Sequence, residues 1–318
     1  MKSESMQPFT ADRVRLGFIG LGAMGSRLVK RLRDRGYQVA VYDSDPNRAW
    51  KLSDDGAFVA ENLRELAEHA DVILSCVSND DAVRCVYFGR AGVFASTSNK
   101  VVLEMSTISP HISRQLHDEG ARRGIEVMDV AISGSTPAVE QGAITLLAGG
   151  DAAVFEAAKP IFDVLAQRYF LMGPSGSGTS MKLVVNTILG IGMQAIAEAV
   201  ALGEAEGLDR KVLFSVLSQT AVVAPAHKGK LERAEHDDYS SQFAVGMMNK
   251  DFRLILETAE SANLEMPATS AAFQVNSAAF KEDPDVDFSS VVRYMEKTDK
   301  AAGVGVWVLS PSGTLVRT

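Results

Sequence analysis

A glycine-rich turn near the start of the chain constrains the fold more than any other feature of the 318-residue sequence. The segment GFIGLGAMG carries three spaced glycines, Gly20, Gly22 and Gly25. An apolar run precedes the turn, and the residues after it have apolar side chains on one side, which is typical of an amphipathic helix. A second apolar run then ends in VYDSD, placing Asp43 about 20 residues after the turn. This order of strand, turn, helix, strand and acid predicts the opening unit of a parallel sheet.

The glycines and the acid together indicate a dinucleotide site. The first glycine permits the tight turn, the second lets the backbone approach a pyrophosphate, and the third lets the helix pack on the strand. The helix N-terminus adds N–H donors for phosphate, and an acid such as Asp43 accepts from ribose hydroxyls. The alternative for Asp43 is an exposed turn acid. The predicted cofactor-binding residues in this unit are Gly20, Leu21, Gly22, Ala23, Met24, Gly25 and Asp43.

The acid also bears on the choice of nucleotide. A carboxylate repels the 2′-phosphate of NADP, and the residue after Asp43 is Ser44, not an arginine. NAD is therefore the predicted cofactor, while Arg48 at the start of the next helix keeps NADP as the less favoured alternative. The loop after the strand DVILSCV is predicted either to contact the nucleotide or to be a plain connection, and its residues are Val77, Ser78 and Asn79.

Strand-length apolar runs alternate with helical segments as far as about Leu171, and a long helical run without convincing strands follows the segment GPSGSG. The predicted fold class is α/β: an N-terminal Rossmann-type doubly wound sheet followed by an all-α C-terminal domain. We place the nucleotide-binding domain at residues 13–173 and the helical substrate and dimerisation domain at 178–297. Residues 1–12 and 298–318 are expected to be flexible or are left unassigned.

Composition excludes several other classes of protein. With 46% hydrophobic residues, 23% charged residues and a net charge of −8 without long blocks of one sign, neither disorder nor nucleic-acid binding is favoured. Cys76 and Cys85 cannot form a disulfide framework, and the N-terminus lacks a secretory pattern, so a cytoplasmic location is expected. Polar residues interrupt the apolar stretches, so no membrane span is expected.

The five histidines are scattered, are interpreted as surface residues, and show no metal-ligand spacing. A better acid–base candidate is Lys182, which shares a helix face with Asn186 in the apolar segment GSGTSMKLVVNTILG. Burial or a second cation such as Lys250 lowers the pKa of a lysine, although a solvated lysine is the alternative. Asp251, next to Lys250, could be only a helix first-turn acid. The turn in DVAISGST offers hydroxyl and N–H donors to a carboxylate, or is simply a β-turn, and its residues are Ser133, Gly134 and Ser135.

These motifs occur in the order found in a known family. From about Arg15 to Lys297 the chain resembles the β-hydroxyacid dehydrogenases, which include 3-hydroxyisobutyrate dehydrogenase. The segments that carry the resemblance are GFIGLGAMG, STISP, DVAISGS, GSGTSMKLVVN and KDF. The family turn usually reads D-x-P-V-S-G-G, whereas this chain has Ala131 and Ser135 in place of the proline and the second glycine.

The resemblance implies hydride transfer between NAD and the C3 hydroxyl of a short 3-hydroxy acid. Lys182 would be the catalytic acid–base and Asn186 would hold the substrate. Ser133, Gly134 and Ser135 would take the substrate carboxylate, and Thr107 and Lys250 would lie along the cofactor. The resemblance also implies a homodimer or homotetramer. An NADP-preferring semialdehyde reductase and a catalytically silent nucleotide-binding protein are the alternatives.

Overall fold

The computed structural model describes residues 6–53, 56–301, 307–309 and 315–317. The chain divides into two compact units, Met1–Val185 and Asn186–Thr318, so the division lies inside a long helix, beyond the Gly/Ser-rich segment used for the sequence boundary. The first unit contains one sheet of eight strands. Its strands are β1 (Leu16–Ile19), β2 (Val39–Tyr42), β3 (Phe58–Val59), β4 (Val72–Ser75), β5 (Val101–Glu104), β6 (Glu126–Ser133), β7 (Ile144–Gly149) and β8 (Ala166–Leu171).

The strand order is β3-β2-β1-β4-β5-β6-β7-β8. All neighbours are parallel except β6 and β7, which pair antiparallel. The strand order changes direction at β1, because β2 and β3 lie on one side of it and β4 to β8 lie on the other. In doubly wound sheets, ligands bind at such a point, beyond the carboxyl ends of the strands. The predicted fold class is confirmed. The sequence did not reveal β3, because a strand of two residues is too short for a recognisable pattern.

Helices cover both faces of this sheet. They are α1 (Gly25–Asp34), α2 (Pro46–Trp50), α3 (Leu63–His69), α4 (Asp80–Phe88), α5 (Val93–Ser96), α6 (Pro110–Arg122), α7 (Thr136–Gln141), α8 (Ala152–Leu165) and the start of α9 (Ser177–Ala205). Adjacent residues of a strand belong to different hydrophobic cores, one on each face of the sheet. Ile73 lies in the same core as Leu66, and Leu74 lies in the same core as Leu28. Burial on both faces explains why the strands read as continuous apolar runs.

The second unit is helical over most of its described length. After the remainder of α9 come α10 (Arg210–Gln219), α11 (Pro225–Glu235), α12 (Val245–Ser261), α13 (Pro267–Glu282), the 3₁₀ turn Phe288–Ser290 and α14 (Val291–Ala301). Large side chains such as Phe214 and Phe252 are fully buried. By length and composition α9 could cross a membrane, which is weak evidence for a single helix, and 44% of its most apolar window is buried within the protein.

The described residues near the N-terminus differ from the expectation of a loose leader. Phe9 is buried in the first core, its N–H donates to the Ala157 carbonyl at 2.8 Å, and its own carbonyl accepts from the Tyr37 hydroxyl. Residues 6–12 are therefore attached to the sheet domain rather than loose. Near the other end, β9 (Trp307–Leu309) pairs antiparallel with β10 (Leu315–Arg317). Residues 1–5 and the rest of the tail after 301 lie outside the described residues.

Candidate active site

The glycine-rich turn joins β1 to α1 at the centre of the sheet. Gly20 has a φ of +89°, and a Cβ there would collide with the Cys76 carbonyl. A Cβ at Gly25 would overlap the Gly20 carbonyl, so this glycine lets α1 approach the turn. A Cβ at Gly22, by contrast, would meet nothing closer than the Arg48 Nη1 atom at 4.0 Å. The turn therefore has open space where a dinucleotide-binding turn needs it, and the residues present fit a nucleotide pyrophosphate.

Asp43 follows β2 and is only 9% exposed, so the interpretation as an exposed turn acid is wrong. Its Oδ2 atom accepts from the Leu21 N–H at 2.6 Å, and its Oδ1 atom accepts from the Asp45 N–H at 2.8 Å. The Arg48 Nη1 atom lies 4.0 Å from Oδ2. Each carboxylate oxygen has a second acceptor position, so Asp43 can both hold the glycine-rich turn and accept from a ribose.

Two further loops leave the same edge of the sheet, after β4 and β5. The Val77 N–H donates to the Ser106 hydroxyl at 2.7 Å, which brings the two loops together. The Asn79 side chain accepts from the Ala82 N–H and caps α4, while Ser78 is exposed. Thr107 follows Ser106 and is half-buried. The predicted cofactor residues of the sheet domain thus lie in loops at the carboxyl ends of β1, β2, β4 and β5.

The predicted carboxylate-binding turn connects β6 to α7. Gly134 has a φ of +153°, which disfavours any other residue, and a Cβ there would lie 2.7 Å from the Ile144 side chain. Ser135 is the N-cap residue of α7, yet its side chain makes no capping hydrogen bond. Position 134 of this turn therefore requires a glycine. The Ser135 hydroxyl does not cap α7.

A buried acid, Asp129, holds the beginning of α9. Its Oδ1 atom accepts from the Gly176 N–H and its Oδ2 atom from the Thr179 N–H, both at 2.7 Å. Burial raises the pKa of this carboxyl, and the hydrogen bonds from Gly176 and Thr179 oppose the shift. Lys182 follows Thr179 by three residues and is only 8% exposed, so it is not a solvated lysine. We did not predict Asp129 from the sequence, although an acid inside the apolar strand IEVMDVAIS was a usable signal.

Asp129→Asn is expected to lower the free energy of unfolding by about 1.5–3 kcal/mol, the contribution of a hydrogen bond to a charged group. An amide oxygen can accept only one of the two N–H groups, and the other then faces an NH₂ group. Urea denaturation measures the change. Asp118→Asn, at an exposed acid on α6, is the control and should change stability by no more than about 0.5 kcal/mol. Equal stability of the two variants would contradict the role assigned to Asp129.

Within the second unit, Asn186 lies on α9 and is 1% exposed. Its Nδ2 atom donates to the Asp251 Oδ2 atom at 2.6 Å, which determines which end of the amide is the oxygen. The Asn186 Oδ1 atom is buried, and no described group donates to it. Asp251 lies beyond the first turn of α12, is 1% exposed, and forms an ion pair with Lys250 at 3.0 Å, so the first-turn interpretation is wrong. Asp251 thus orients Asn186, a role that the sequence did not reveal.

The histidines and cysteines supply no competing site. His227 is buried and its Nε2 atom lies 2.9 Å from the Leu189 carbonyl, which corrects its interpretation as a surface residue. Among the described residues, no group of three or more His, Cys, Asp or Glu side chains could hold a metal ion. Both cysteines are free thiols.

Two family models match the chain. Residues 15–173 match the NAD binding domain of 6-phosphogluconate dehydrogenase, and residues 176–295 match the NAD-binding domain of NADP-dependent 3-hydroxyisobutyrate dehydrogenase. A solved structure of Mycobacterium tuberculosis 3-hydroxyisobutyrate dehydrogenase with L-serine has a TM-score of 0.81 and 25% sequence identity, with 89% of this chain and 99% of that chain covered.

The names of individual relatives give different substrates. The chain is 32% identical over 292 residues to an NAD-dependent L-serine dehydrogenase of Pseudomonas aeruginosa, covering 89% of this chain and 98% of the relative. It is 32% identical over 283 residues to glyoxylate/succinic semialdehyde reductase 1 of Arabidopsis thaliana, covering 87% and 96%. With both of its domains matched and its nucleotide-binding turn intact, the chain belongs to the β-hydroxyacid dehydrogenase family of NAD(P)-dependent oxidoreductases.

Proposed function

We propose that this oxidoreductase transfers a hydride between NAD and the C3 position of a short 3-hydroxy carboxylic acid, with Lys182 as general acid–base. The observation that carries the proposal is the state of Asn186, four residues after the buried Lys182 on α9. Asp251 holds its amide in one orientation, while its Oδ1 atom is buried and receives no hydrogen bond from a described group. A buried acceptor of this kind favours a polar ligand as its partner.

Each part of the proposed reaction is assigned to a different group. A bound nicotinamide nucleotide would accept the hydride from C3, so that a primary C3 alcohol becomes an aldehyde and a secondary one, as in threonate, becomes a ketone. The neutral Lys182 Nζ atom accepts the hydroxyl proton, and in the reverse direction the ammonium returns it to the carbonyl oxygen. The Asn186 Oδ1 atom accepts from a donor on the substrate, and the Asn186 amide has a second hydrogen for a substrate oxygen. The turn Ser133–Ser135 holds the carboxylate through backbone N–H and hydroxyl donors.

A spectrophotometric screen tests this function. Purified protein is supplied with NAD or NADP and a panel of 3-hydroxyisobutyrate, serine, glycerate and threonate, and nucleotide reduction is recorded. We expect turnover with at least one acid. Nucleotide binding without turnover on the panel or on the corresponding semialdehydes would favour a silent nucleotide-binding protein. Turnover only with NADPH and an aldehyde would favour the reductase alternative.

We expect NAD to be preferred over NADP because the Asp43 carboxylate disfavours a 2′-phosphate. Asp43→Asn should narrow the NAD-to-NADP ratio of kcat/KM by roughly tenfold to a hundredfold, since a charged hydrogen bond contributes about 1.5–3 kcal/mol. Asparagine is the better probe than alanine, because its side-chain oxygen can still accept from the Leu21 N–H.

Arg48→Ala is the paired variant. Arg48 is about half exposed and lies beside Asp43, so it is the residue best placed to accept a 2′-phosphate. Its loss should widen the ratio in favour of NAD. A wild-type protein that works better with NADP would contradict the assigned role of Asp43.

We also expect a homodimer or homotetramer, as the resemblance implies, and a cytoplasmic location, as the cysteine usage and the lack of a secretory pattern indicate. Large apolar side chains on α9 are exposed, among them Ile188 and Leu202, and a subunit contact would bury such residues.

A further inference from the structure

A buried polar cluster lies within the first unit, directly under the edge of the sheet assigned to the nucleotide. Its members, which we call the Glu104 cluster, are Ser75, Tyr87, Glu104 and Ser106. None is more than 2% exposed. Ser75 ends β4 and Glu104 ends β5, while Tyr87 lies on α4. The cluster therefore connects two strand ends and a helix at the place where the cofactor loops begin.

The hydrogen bonds of the cluster converge on the carboxylate. The Tyr87 hydroxyl lies 2.5 Å from the Ser75 hydroxyl, and the Ser75 hydroxyl in turn donates to the Glu104 Oε2 atom. The Ser106 N–H donates to the Oε1 atom at 2.8 Å. With Glu104 ionised, each of these donors has an acceptor, whereas a protonated Glu104 adds a donor without adding an acceptor. Burial raises the pKa of Glu104, and the hydrogen bonds from Ser106 and Ser75 oppose that shift.

One member of the cluster continues into the cofactor loops. The Ser106 hydroxyl accepts from the Val77 N–H at 2.7 Å. Val77 belongs to the loop after β4, and Ser106 precedes Thr107 in the loop after β5. Glu104 thus holds the backbone of one loop directly and the backbone of the other through a single hydroxyl.

Stability alone does not account for an acid at this position. A carboxylate loses its hydration when it is buried, and well-packed apolar residues often replace buried charged groups at no cost in stability. An apolar side chain, however, could not hold the Ser106 N–H and, through Ser106, the Val77 N–H at a defined separation. The position of the acid is explained if the separation of the two loops matters for ligand binding.

We propose that Glu104 is a positioning residue for the nucleotide: it keeps the loops that begin at Val77 and Ser106 in the arrangement that binds the cofactor. This inference rests on the proposed nucleotide site at the same edge of the sheet. It assigns no proton transfer to Glu104.

Three single variants of the full chain test the proposal. Glu104→Gln removes the carboxylate at constant size, and Ser106→Ala removes the link to Val77 but leaves Glu104 in place. Tyr87→Phe is the matched control, because it removes one hydroxyl from the same cluster without breaking the connection from Glu104 through Ser106 to Val77. For each variant, NADH and NADPH are titrated by fluorescence, and the nucleotide-free protein is unfolded thermally. The KM values for nucleotide and acid are measured separately.

We expect Glu104→Gln and Ser106→Ala to weaken nucleotide binding by about tenfold, which corresponds to about 1.4 kcal/mol, with the KM of the acid unchanged. Tyr87→Phe should lower the melting temperature while its dissociation constant stays within about twofold of wild type. If Glu104→Gln does not fold, the nucleotide affinity of Ser106→Ala tests the positioning role.

Wild-type affinity in Ser106→Ala, with only a lower melting temperature, would overturn the positioning role and leave the nucleotide site intact. An equal loss of affinity in Tyr87→Phe would also overturn it, since the effect would then follow from general loosening of the cluster. Wild-type protein that binds neither nucleotide would overturn the proposed function itself.

Discussion

Lys182→Ala is expected to lower kcat by at least about 100-fold, the lower end of the contribution of a general acid–base group. In the proposed mechanism this amine accepts the hydroxyl proton in oxidation and returns it in reduction, and the variant lacks it. Nucleotide affinity should stay near wild type, because Lys182 has no assigned role in holding the cofactor.

Two comparisons make the result specific to proton transfer. Lys182→Arg keeps the positive charge, but a guanidinium stays protonated at any pH below about 12. It therefore cannot accept the hydroxyl proton, and oxidation should remain slow. Lys230→Ala removes another buried lysine, which forms an ion pair with Asp287 in the second unit, and should reduce stability rather than turnover. A folded Lys182→Ala protein that binds nucleotide and turns over near the wild-type rate would refute the proposed role.

Gly22→Ala and Gly25→Ala are expected to fail in different ways, although they alter the same turn. A Cβ at Gly22 enters open space, so the nucleotide-free protein should keep its melting temperature, while nucleotide affinity falls by at least about tenfold because the pyrophosphate must approach this backbone. A Cβ at Gly25 overlaps the Gly20 carbonyl, so α1 must shift and the free energy of unfolding should fall by about 1–3 kcal/mol or more.

Thermal unfolding and nucleotide titration of both variants check this prediction. Gly36→Ala provides a control, since Gly36 also adopts a positive φ but a Cβ there meets nothing within 4 Å, so only the backbone penalty is expected. Tight nucleotide binding by Gly22→Ala would show that the cofactor does not approach the second glycine.

Much of the nucleotide-binding domain could be predicted because its signals are local. The spacing of Gly20, Gly22 and Gly25 reports a turn that only certain residues can form, and strands buried on both faces produce apolar runs that are visible without a partner. The two-residue strand β3 was missed for the opposite reason, since nothing local distinguishes it. Phe9 was assigned to a loose leader because its burial depends on α8, far along the chain.

The sequence by itself determined the order of the domains, the nucleotide-binding turn and the chemical types of the candidate site residues. Only the tertiary structure decided which buried acids hold the beginning of α9 and the amide of Asn186. Asp129 meets Gly176 across 47 residues, and Asn186 meets Asp251 across 65. A hydrogen bond between distant residues leaves no periodic trace in either segment, whereas glycine spacing and apolar patterns arise from interactions between neighbours along the chain. For that reason Lys182 and Asn186 could be proposed as site residues from the sequence, but Asp251, which orients Asn186, could not.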